Sequence, residues 1–466
     1  MHRRAFLGTL AGLPTLAQSR LPNIILILCD DLGYGDLGCY GNRIIQTPNL
    51  DRLASRGVRF TQFYTTSPVC SPTRAAIMTG HYPQRYGIHY ADLPERLPRY
   101  PLPSSALTIA EVLHDAGYFT AHVGKWHLGE PPDAAIPRHQ GFDQFAGSFG
   151  GRPSSPWNQY ARSINPEVIF NEDRPTMQFG HVTDLQTAMA LDVIEQQTTE
   201  GRPFFLNLWY NAPHEPLAPL AHQSKLYGDW SPEEQTYFQT VTDLDFGIGR
   251  ILAMLREKKI EDNTLVFVTS DNGPEAHKSK YSRGSAGPLR GMKTQLWDGG
   301  VRVPAIAAWP GVIPPGSVNP YVASVLDLFP TFSAPGGIHR RDWTSDGGVN
   351  LLPILQRQAV MPERALVFES HFPQRGAAPS LPMAVRLGRW KLFSDYAFER
   401  KQLFDMESDP GESNDIAPQN PRLVAWLLVH LKRWYADFGP KLDLDRKTTP
   451  VATPAPAELE KRYYRN

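Results

Sequence analysis

Four short runs of apolar residues divide the chain, and each is followed closely by charged or polar residues. The runs lie at residues 23–29, 118–123, 204–209 and 264–269. Runs of this length, without alternating polar residues and rich in branched side chains, are typical of strands buried on both faces of a sheet. The pattern therefore predicts four buried strands whose last residues open onto polar loops.

Apolar residues with a helical period fill the intervals between these runs. Leu185, Met189 and Val193 predict a helix before the third run, and residues 104–116, ended by Gly117, predict one before the second. The longest apolar stripe precedes the fourth run and consists of Tyr237, Val241, Leu244, Ile248, Ile251 and Leu255. Alternating helices and buried strands predict an α/β fold with a large, mostly parallel mixed sheet sandwiched by helices.

The pattern changes after about residue 360. Short apolar runs at 365–368, 383–387 and 390–393 predict antiparallel strands, and residues 423–435 predict a helix. We therefore expect a catalytic α/β domain over residues 21–358 and a smaller C-terminal antiparallel sheet subdomain with a helix over residues 359–445. Residues 446–466, rich in Thr, Pro and Ala, are expected to form a loose tail.

The first 20 residues have the pattern of an export signal peptide. Arg3 and Arg4 precede a short apolar stretch that ends in small residues near Ala17. The paired arginines resemble a twin-arginine signal, and an ordinary secretory signal is the alternative. Because the stretch is too short for a permanent membrane span, we expect an exported protein, periplasmic or secreted.

Charge and cysteine content narrow the class of protein further. Lys plus Arg and Asp plus Glu both number 47, so no basic excess points to a nucleic acid or an anionic membrane as partner. Three cysteines do not form a disulfide framework. Cys29 is predicted to be a thiol in the core, and a disulfide bridge between Cys29 and Cys39 is the alternative. Neither prediction assigns a role to Cys70.

The polar residues that follow the four runs form the candidate site. Because ligands bind beyond the carboxyl ends of strands in open α/β sheets, these residues are expected to meet at one edge. Any one cluster could instead be a solvated loop, but the same arrangement follows all four runs. The residues are Asp30 and Asp31, Lys125 and His127, His214, and Asp271 and Asn272.

The segment Cys70-Ser71-Pro72-Thr73-Arg74 adds a candidate anion-binding element. A helix predicted from Thr73 to Met78, with Pro72 at its first position, would place Cys70 at the helix N-terminus. Backbone N–H groups and the helix dipole favour negative charge there, and Arg74 follows one turn on. The alternative is a small buried cysteine in a turn.

Together these motifs resemble the sulfatase family, within the alkaline-phosphatase-like superfamily. Residues 70–74 with Thr79-Gly80 are similar to the first sulfatase signature, and residues 117–127 are similar to the second. The strand-end residues, Pro213-His214 and Lys293 follow in the family's order, and the similarity extends over residues 23–416 to enzymes of the arylsulfatase A and N-acetylgalactosamine-6-sulfatase type. Thr73 stands where serine is commoner, but it keeps the hydroxyl group.

The resemblance implies a metal ion and a modified nucleophile. One Ca²⁺, with Mg²⁺ as the alternative, would be bound at Asp30, Asp31, Asp271 and Asn272, because hard cations prefer oxygen ligands, and Cys70 is counted among the metal-site residues. The alternative is that these side chains cap helices and turns. By the same resemblance, a separate maturation enzyme oxidises Cys70 to formylglycine (3-oxoalanine), whose aldehyde is hydrated to a geminal diol.

The family's reaction then assigns a role to each remaining motif residue. One hydroxyl of the diol attacks sulfur and expels the alcohol; the second is deprotonated, the C–O bond breaks and sulfate leaves. The resemblance gives the deprotonation to His127 and protonation of the leaving oxygen to His214 with Lys293. Arg74 and Lys125 would neutralise anionic charge.

The sequence therefore predicts a sulfuric ester hydrolase that acts on sulfate monoesters, with sulfated carbohydrates as the preferred substrate class. The alternatives are a phosphate or phosphonate ester hydrolase and a non-catalytic, exported calcium-binding protein. Retention of the motif residues argues against the latter. Substrate contacts are open: Trp157, Tyr160, His277 and Arg283 could line the rim or lie on the surface. Sulfate position, linkage, exo or endo action and oligomeric state are not readable.

Overall fold

The computed structural model describes residues 21–90, 101–129, 135–150, 167–171, 174–178, 181–215, 217, 219, 226–275, 283–338, 343–371 and 379–439. The predicted signal peptide and tail, and the rim candidates Trp157, Tyr160 and His277, lie outside these ranges. None of the helices within the described ranges has the length and apolar character that a membrane crossing requires.

The strands form two separate sheets. The large sheet contains β1 (Asn23–Cys29), β2 (Val58–Tyr64), β3 (Phe119–Lys125), β4 (Gln144–Ser148), β5 (Glu167–Asn171), β6 (Arg174–Gln178), β7 (Phe204–Trp209), β8 (Thr264–Ser270), β9 (Arg302–Ala308), β10 (Ser317–Asn319) and β11 (Ala323–Ser324). The small sheet contains β12 (Leu366–Glu369), β13 (Met383–Leu387), β14 (Trp390–Ser394) and β15 (Lys401–Asp405).

Helices cover the large sheet and the outer side of the small one. They are α1 (Pro48–Arg56), α2 (Cys70–Thr79), α3 (Ile109–Asp115), α4 (Val182–Glu200), α5 (Pro232–Glu257), α6 (Asp298–Val301), α7 (Leu328–Ser333), α8 (Leu352–Leu355) and α9 (Pro421–Phe438). The mostly parallel sheet, its helical layers and the separate antiparallel sheet confirm the predicted fold class.

The strand order explains why the four predicted strands matter most. The large sheet has the order β10-β2-β9-β8-β1-β7-β3-β4-β5-β6, with β11 paired to β2. In its centre β8, β1, β7 and β3 are consecutive neighbours, and every pair among them is parallel. The antiparallel pairs, such as β8 with β9 and β4 with β5, lie outside this group. The carboxyl ends of the four central strands therefore lie side by side.

Burial on both faces accounts for the unbroken apolar runs. Alternate residues of β1 join two different apolar clusters: Ile24 and Leu26 pack on one face, and Ile25 and Ile27 on the other. The predicted stripe of α5 is fully buried in the second cluster. The first cluster continues through the small sheet to α9, where Leu427 is buried, so the two sheets share one apolar layer.

The structure corrects the starts of two predicted helices. Helix α3 begins at Ile109, not near residue 104, because Thr108 and Glu111 form a reciprocal capping box. Helix α2 begins at Cys70, with Val69 in extended conformation as its N-cap, so Pro72 is its third residue rather than its first. The small sheet also has a fourth strand, β15, that the apolar pattern did not predict. The division at residue 358 stays a prediction.

Candidate active site

Side chains from the four central strand ends meet at one edge of the sheet and are joined by ion pairs. Lys125, the last residue of β3, donates from Nζ to Oδ2 of Asp30, which follows β1, over 2.6 Å. Both side chains are almost completely buried. The preceding Gly124 allows the end of β3 to lie close to the end of β7: its φ is +108°, and a Cβ there would lie 2.0 Å from the Trp209 carbonyl oxygen.

Arg74 is the most highly connected cation of the site. Its Nε and Nη2 atoms donate to Oδ2 of Asp271 over 3.0 and 2.7 Å, and Nη1 donates to the Lys125 carbonyl over 2.8 Å. Nη2 also lies 3.3 Å from Oδ2 of Asp30, and the guanidinium packs 5.1 Å from the Trp209 ring. Arg74 therefore contacts carboxylates at two strand ends and a backbone carbonyl at a third, and it orients them.

Lys293 forms the second bridge of the site. Its Nζ lies 2.7 and 2.8 Å from the two carboxylate oxygens of Asp31 and 3.5 Å from Glu275. Asn272 donates from Nδ2 to Oδ1 of the same aspartate over 2.7 Å. His214 Nε2 lies 3.7 Å from Oδ2 of Asp31. Asp31 therefore connects the ends of β1 and β8 with the histidine that follows β7.

Cys70 lies within this cluster at the first turn of α2. It is 3% exposed and packs in a small apolar group with Val69, apart from the main core clusters. Burial, reinforced by the carboxylates of Asp30 and Asp271 against the opposing lysines, raises the pKa of the Cys70 thiol to about 12. The unmodified thiol is therefore protonated near neutral pH and a poor nucleophile.

Thr73 explains how the departure from the commoner serine is accommodated. Its side chain is fully buried, and its hydroxyl donates to the Ser67 carbonyl over 3.1 Å. This bond fixes the segment that leads into α2. A serine hydroxyl could make the same contact, so the substitution adds a methyl group without removing a donor.

Two site residues adopt a left-handed backbone conformation that is uncommon outside glycine. Asp31 has a φ of +67° and His127 a φ of +60°. The backbone N–H of His127 donates to the Phe149 carbonyl over 2.7 Å, which holds this turn against the end of β4. Such conformations persist only where the surroundings determine them, and they cluster at functional sites.

The donor atoms of the strand ends fit a hard divalent cation. Oδ1 of Asp30 and Oδ1 of Asn272 are buried acceptors without a hydrogen-bond partner. Ligand atoms of Asp30, Cys70 and Asp271 lie within 4.8 Å of one another. Burial, with repulsion from Asp30 exceeding the attraction of Arg74, raises the pKa of Asp271 to about 6. A cation here would satisfy the two free oxygens and favour the ionised carboxylate.

The sequence analysis missed the residues that support the Asp30–Asp31 turn. Asp36 is fully buried and accepts from Gly33 N over 2.7 Å, Ser285 N over 2.9 Å and the Tyr237 hydroxyl over 2.7 Å. It therefore ties the turn after β1 to α5 and to the segment before Lys293. The sequence Gly33-Tyr34-Gly35-Asp36 could have indicated this role, because an aspartate three residues after a glycine can accept from the glycine N–H.

Three further residues named in the sequence analysis, Cys29, Cys39 and Arg283, take no part in the ion pairs described above. Cys29 and Cys39 are free thiols, so the open question of a bridge is answered against it. Arg283 is exposed. All ten motif residues named in the sequence analysis lie in the described part of the chain, and their ion pairs and hydrogen bonds join the four strand ends, α2 and Lys293. Their chemical roles stay predictions.

Comparison with known proteins agrees with this arrangement. The family model described as Sulfatase matches residues 22–338. Arylsulfatase A of Bos taurus is 36% identical over 93% of this chain and 92% of its own length. N-acetylgalactosamine-6-sulfatase of Sus scrofa is 37% identical over 82% of this chain and 73% of its own.

Comparison with solved structures shows that the chain also shares its fold with a known structure. The structure of Ps i-CgsB in complex with k-i-k-neocarrahexaose matches with a TM-score of 0.80 and 29% identity, covering 90% of this chain and 94% of that one. The family match, the long alignments and the shared fold support one another. The chain therefore belongs to the sulfatase family and is a sulfuric ester hydrolase.

Proposed function

We propose that this enzyme hydrolyses sulfate monoesters of carbohydrates, with formylglycine at position 70 as nucleophile and one Ca²⁺ at the strand ends. The observation that carries the proposal is the buried cluster in which Cys70, three carboxylates and three basic groups meet at the edge of the sheet. The carbohydrate class is supported by similarity to N-acetylgalactosamine-6-sulfatase and to Ps i-CgsB, which was solved in complex with a neocarrahexaose.

The charge of the site favours an anionic substrate. Asp30, Asp31, Asp271 and Glu275 face Arg74, Lys125 and Lys293, so four negative groups meet three positive ones and the site has a net charge of about −1 when all are ionised. With a divalent cation held by Asp30, Asp31, Asp271 and Asn272, the site would carry a net charge of about +1. The ion would polarise a sulfate oxygen as a Lewis acid. A singly charged sulfate ester would be attracted to this position.

The high pKa of the Cys70 thiol argues against the unmodified thiol as the nucleophile. A buried thiol with a pKa of about 12 supplies little thiolate. A hydrated aldehyde would instead supply one hydroxyl for attack and a second whose deprotonation releases sulfate. We therefore propose that a formylglycine-generating enzyme acts on this protein as a maturation partner. The N-terminal pattern supports export to the periplasm or the outside.

The hydrogen bonding of His214 supports a role at the leaving group. Its Nδ1 lies 2.6 Å from the Glu215 carbonyl oxygen, which can only accept, so Nδ1 carries a hydrogen. Nε2 is then the atom available to a substrate, and it lies on the side of Asp31 and Lys293. Burial and the nearby Lys293 lower the pKa of His214, so the imidazolium form would need the negative charge of a bound ester. In that form Nε2 would donate a proton to the departing oxygen, with Lys293 stabilising the charge on that oxygen. His127, from the end of β3, would assist sulfate release.

A direct comparison of leaving-group-matched esters tests the reaction class. The enzyme should hydrolyse 4-nitrophenyl sulfate with a kcat/KM at least about 100-fold above that for 4-nitrophenyl phosphate, because a doubly charged phosphate exceeds the charge that the site balances. It should also release inorganic sulfate from sulfated oligosaccharides. A preference for the phosphate would establish the alternative, and no turnover of either ester would indicate a non-catalytic protein.

Modification of Cys70 is tested by peptide mass spectrometry of active protein. The peptide that contains position 70 should have lost the thiol and gained an aldehyde that reacts with a hydrazide probe. Cys70→Ala should lower kcat at least about 10³-fold, because the nucleophile is removed. Its thermal midpoint should change little, because Cys70 packs only with Val69 in its apolar group. Cys39→Ala is the matched control and should keep its rate. Full activity with an intact Cys70 thiol would contradict the proposal.

The two histidines are distinguished by the leaving group. His214→Ala should slow hydrolysis of alkyl or sugar sulfates about 10²- to 10⁴-fold and that of 4-nitrophenyl sulfate far less, since a good leaving group needs no proton. His127→Ala should give a burst of alcohol equal to the enzyme concentration, followed by stalling, because the second step is impaired. Equal losses on both substrates in His214→Ala, with no burst in His127→Ala, would show that the roles are wrong.

A further inference from the structure

A second cluster of metal-ligand side chains lies outside the active-site network, where the small sheet meets the segment after α2. Its centre is Glu369, the last residue of β12, which is fully buried. Oε2 accepts from His89 Nδ1 and from Gln84 Nε2, both over 2.9 Å. Oε1 accepts from the Tyr396 hydroxyl over 3.1 Å and lies 3.4 Å from His371 Nε2.

From this arrangement we propose a transition-metal site, of the zinc class, with His89, Glu369 and His371 as its protein ligands. One ligand atom from each residue lies within 4.8 Å of the other two. Two imidazole nitrogens and one carboxylate oxygen form a ligand set that suits zinc, with a remaining position for water. This donor set differs from the strand-end site, whose ligands are oxygens and which suits calcium or magnesium.

The environment of His371 supports a ligand role. Its Nε2 atom is buried and makes no hydrogen bond, although Oε1 of Glu369 is only 3.4 Å away. The His371 side chain as a whole is 21% exposed, so an ion could reach the site from that side. His89 is 5% exposed, and its ring lies edge-on to that of His371 with centroids 5.5 Å apart. The two imidazoles therefore approach the same carboxylate from different sides.

Residues around the cluster hold the ligands in place, as outer partners do in metal sites. The Tyr396 ring stacks on His371 with centroids 5.0 Å apart while its hydroxyl bonds Glu369. Gln84 fixes the second carboxylate oxygen. Ser370, between the two ligands of this segment, donates to the Thr294 carbonyl over 3.1 Å, next to Lys293. A bound ion would therefore join the small sheet to the α2 segment and support the loop that carries Lys293.

Metal titration of the full-length protein tests this site independently of catalysis. The protein is stripped with a chelator and returned to excess Ca²⁺, which occupies the oxygen site, and then titrated with Co²⁺ and Zn²⁺. Wild type should bind one Zn²⁺ per chain by elemental analysis. Co²⁺ should give visible absorption bands that Zn²⁺ removes. Zn²⁺ should also raise the thermal midpoint of wild type, because it binds the folded state.

Variants locate the bound ion. His371→Ala and His89→Ala should weaken Zn²⁺ binding more than about 100-fold, and Tyr396→Phe, which loses only the hydroxyl, about 10- to 100-fold. Two controls should keep one Zn²⁺: His114→Ala, on the half-exposed face of α3, and Cys70→Ala, which lacks the active-site thiol. If His89→Ala does not fold, His371→Ala at the margin of the cluster still decides the question.

Three results would overturn the proposal. The first is a wild-type protein that binds no Zn²⁺ at micromolar concentrations. The second is unchanged binding in His371→Ala, and the third is loss of the ion in Cys70→Ala, which would assign it to the active site. If the wild-type protein binds no Zn²⁺, then Glu369 is held by hydrogen bonds from its neighbours alone, with a proton in place of the metal ion.

Discussion

The structure depends on a set of opposed buried charges at the edge of the central sheet. Arg74 and Asp271 are fully buried, and Asp30 accepts from Lys125 while it contacts the same guanidinium. Removing one partner from such a group costs about 3–5 kcal/mol, because the other is left as an uncompensated charge in the interior. The cluster is therefore possible only where three strand ends, helix α2 and Lys293 bring the opposite charges together.

The order of the parallel strands in the centre of the large sheet brings these opposite charges together. Since β8, β1, β7 and β3 are direct neighbours, residues far apart in sequence become adjacent at their carboxyl ends. Burial of both faces fixes the register, because a shift of one residue would exchange the side chains between the two apolar layers. Asp36 then fixes the turn after β1 through Tyr237 and Ser285. The rigid apolar sheet thus positions buried polar side chains that would not stay close together without it.

The fold and the location of the site could be predicted from the sequence because both follow from simple patterns. Unbroken apolar runs indicate buried strands, and polar residues directly after them indicate one functional edge. The start of α2 at Cys70 could not be predicted, since Val69 before it makes no side-chain capping bond. The start of α3 at Ile109 was open to prediction, because Thr108 and Glu111 have the spacing of a capping box. The partners of Arg74 were also not readable, because the same guanidinium could have faced a substrate rather than Asp271. Asp36 escaped notice because its partners Tyr237 and Ser285 come from distant parts of the chain.

Calcium binding tests the central claim most directly, namely that the strand-end cluster is built around a divalent cation. Calorimetric titration of chelated protein should show one Ca²⁺ per chain, with activity and thermal stability lost on chelation and restored by the ion. Asn272→Ala should weaken this binding at least about tenfold. Asn207→Ala, a buried asparagine on β7 that contacts His122, should not weaken it. A metal-free protein that retains its full rate of sulfate ester hydrolysis would contradict the account.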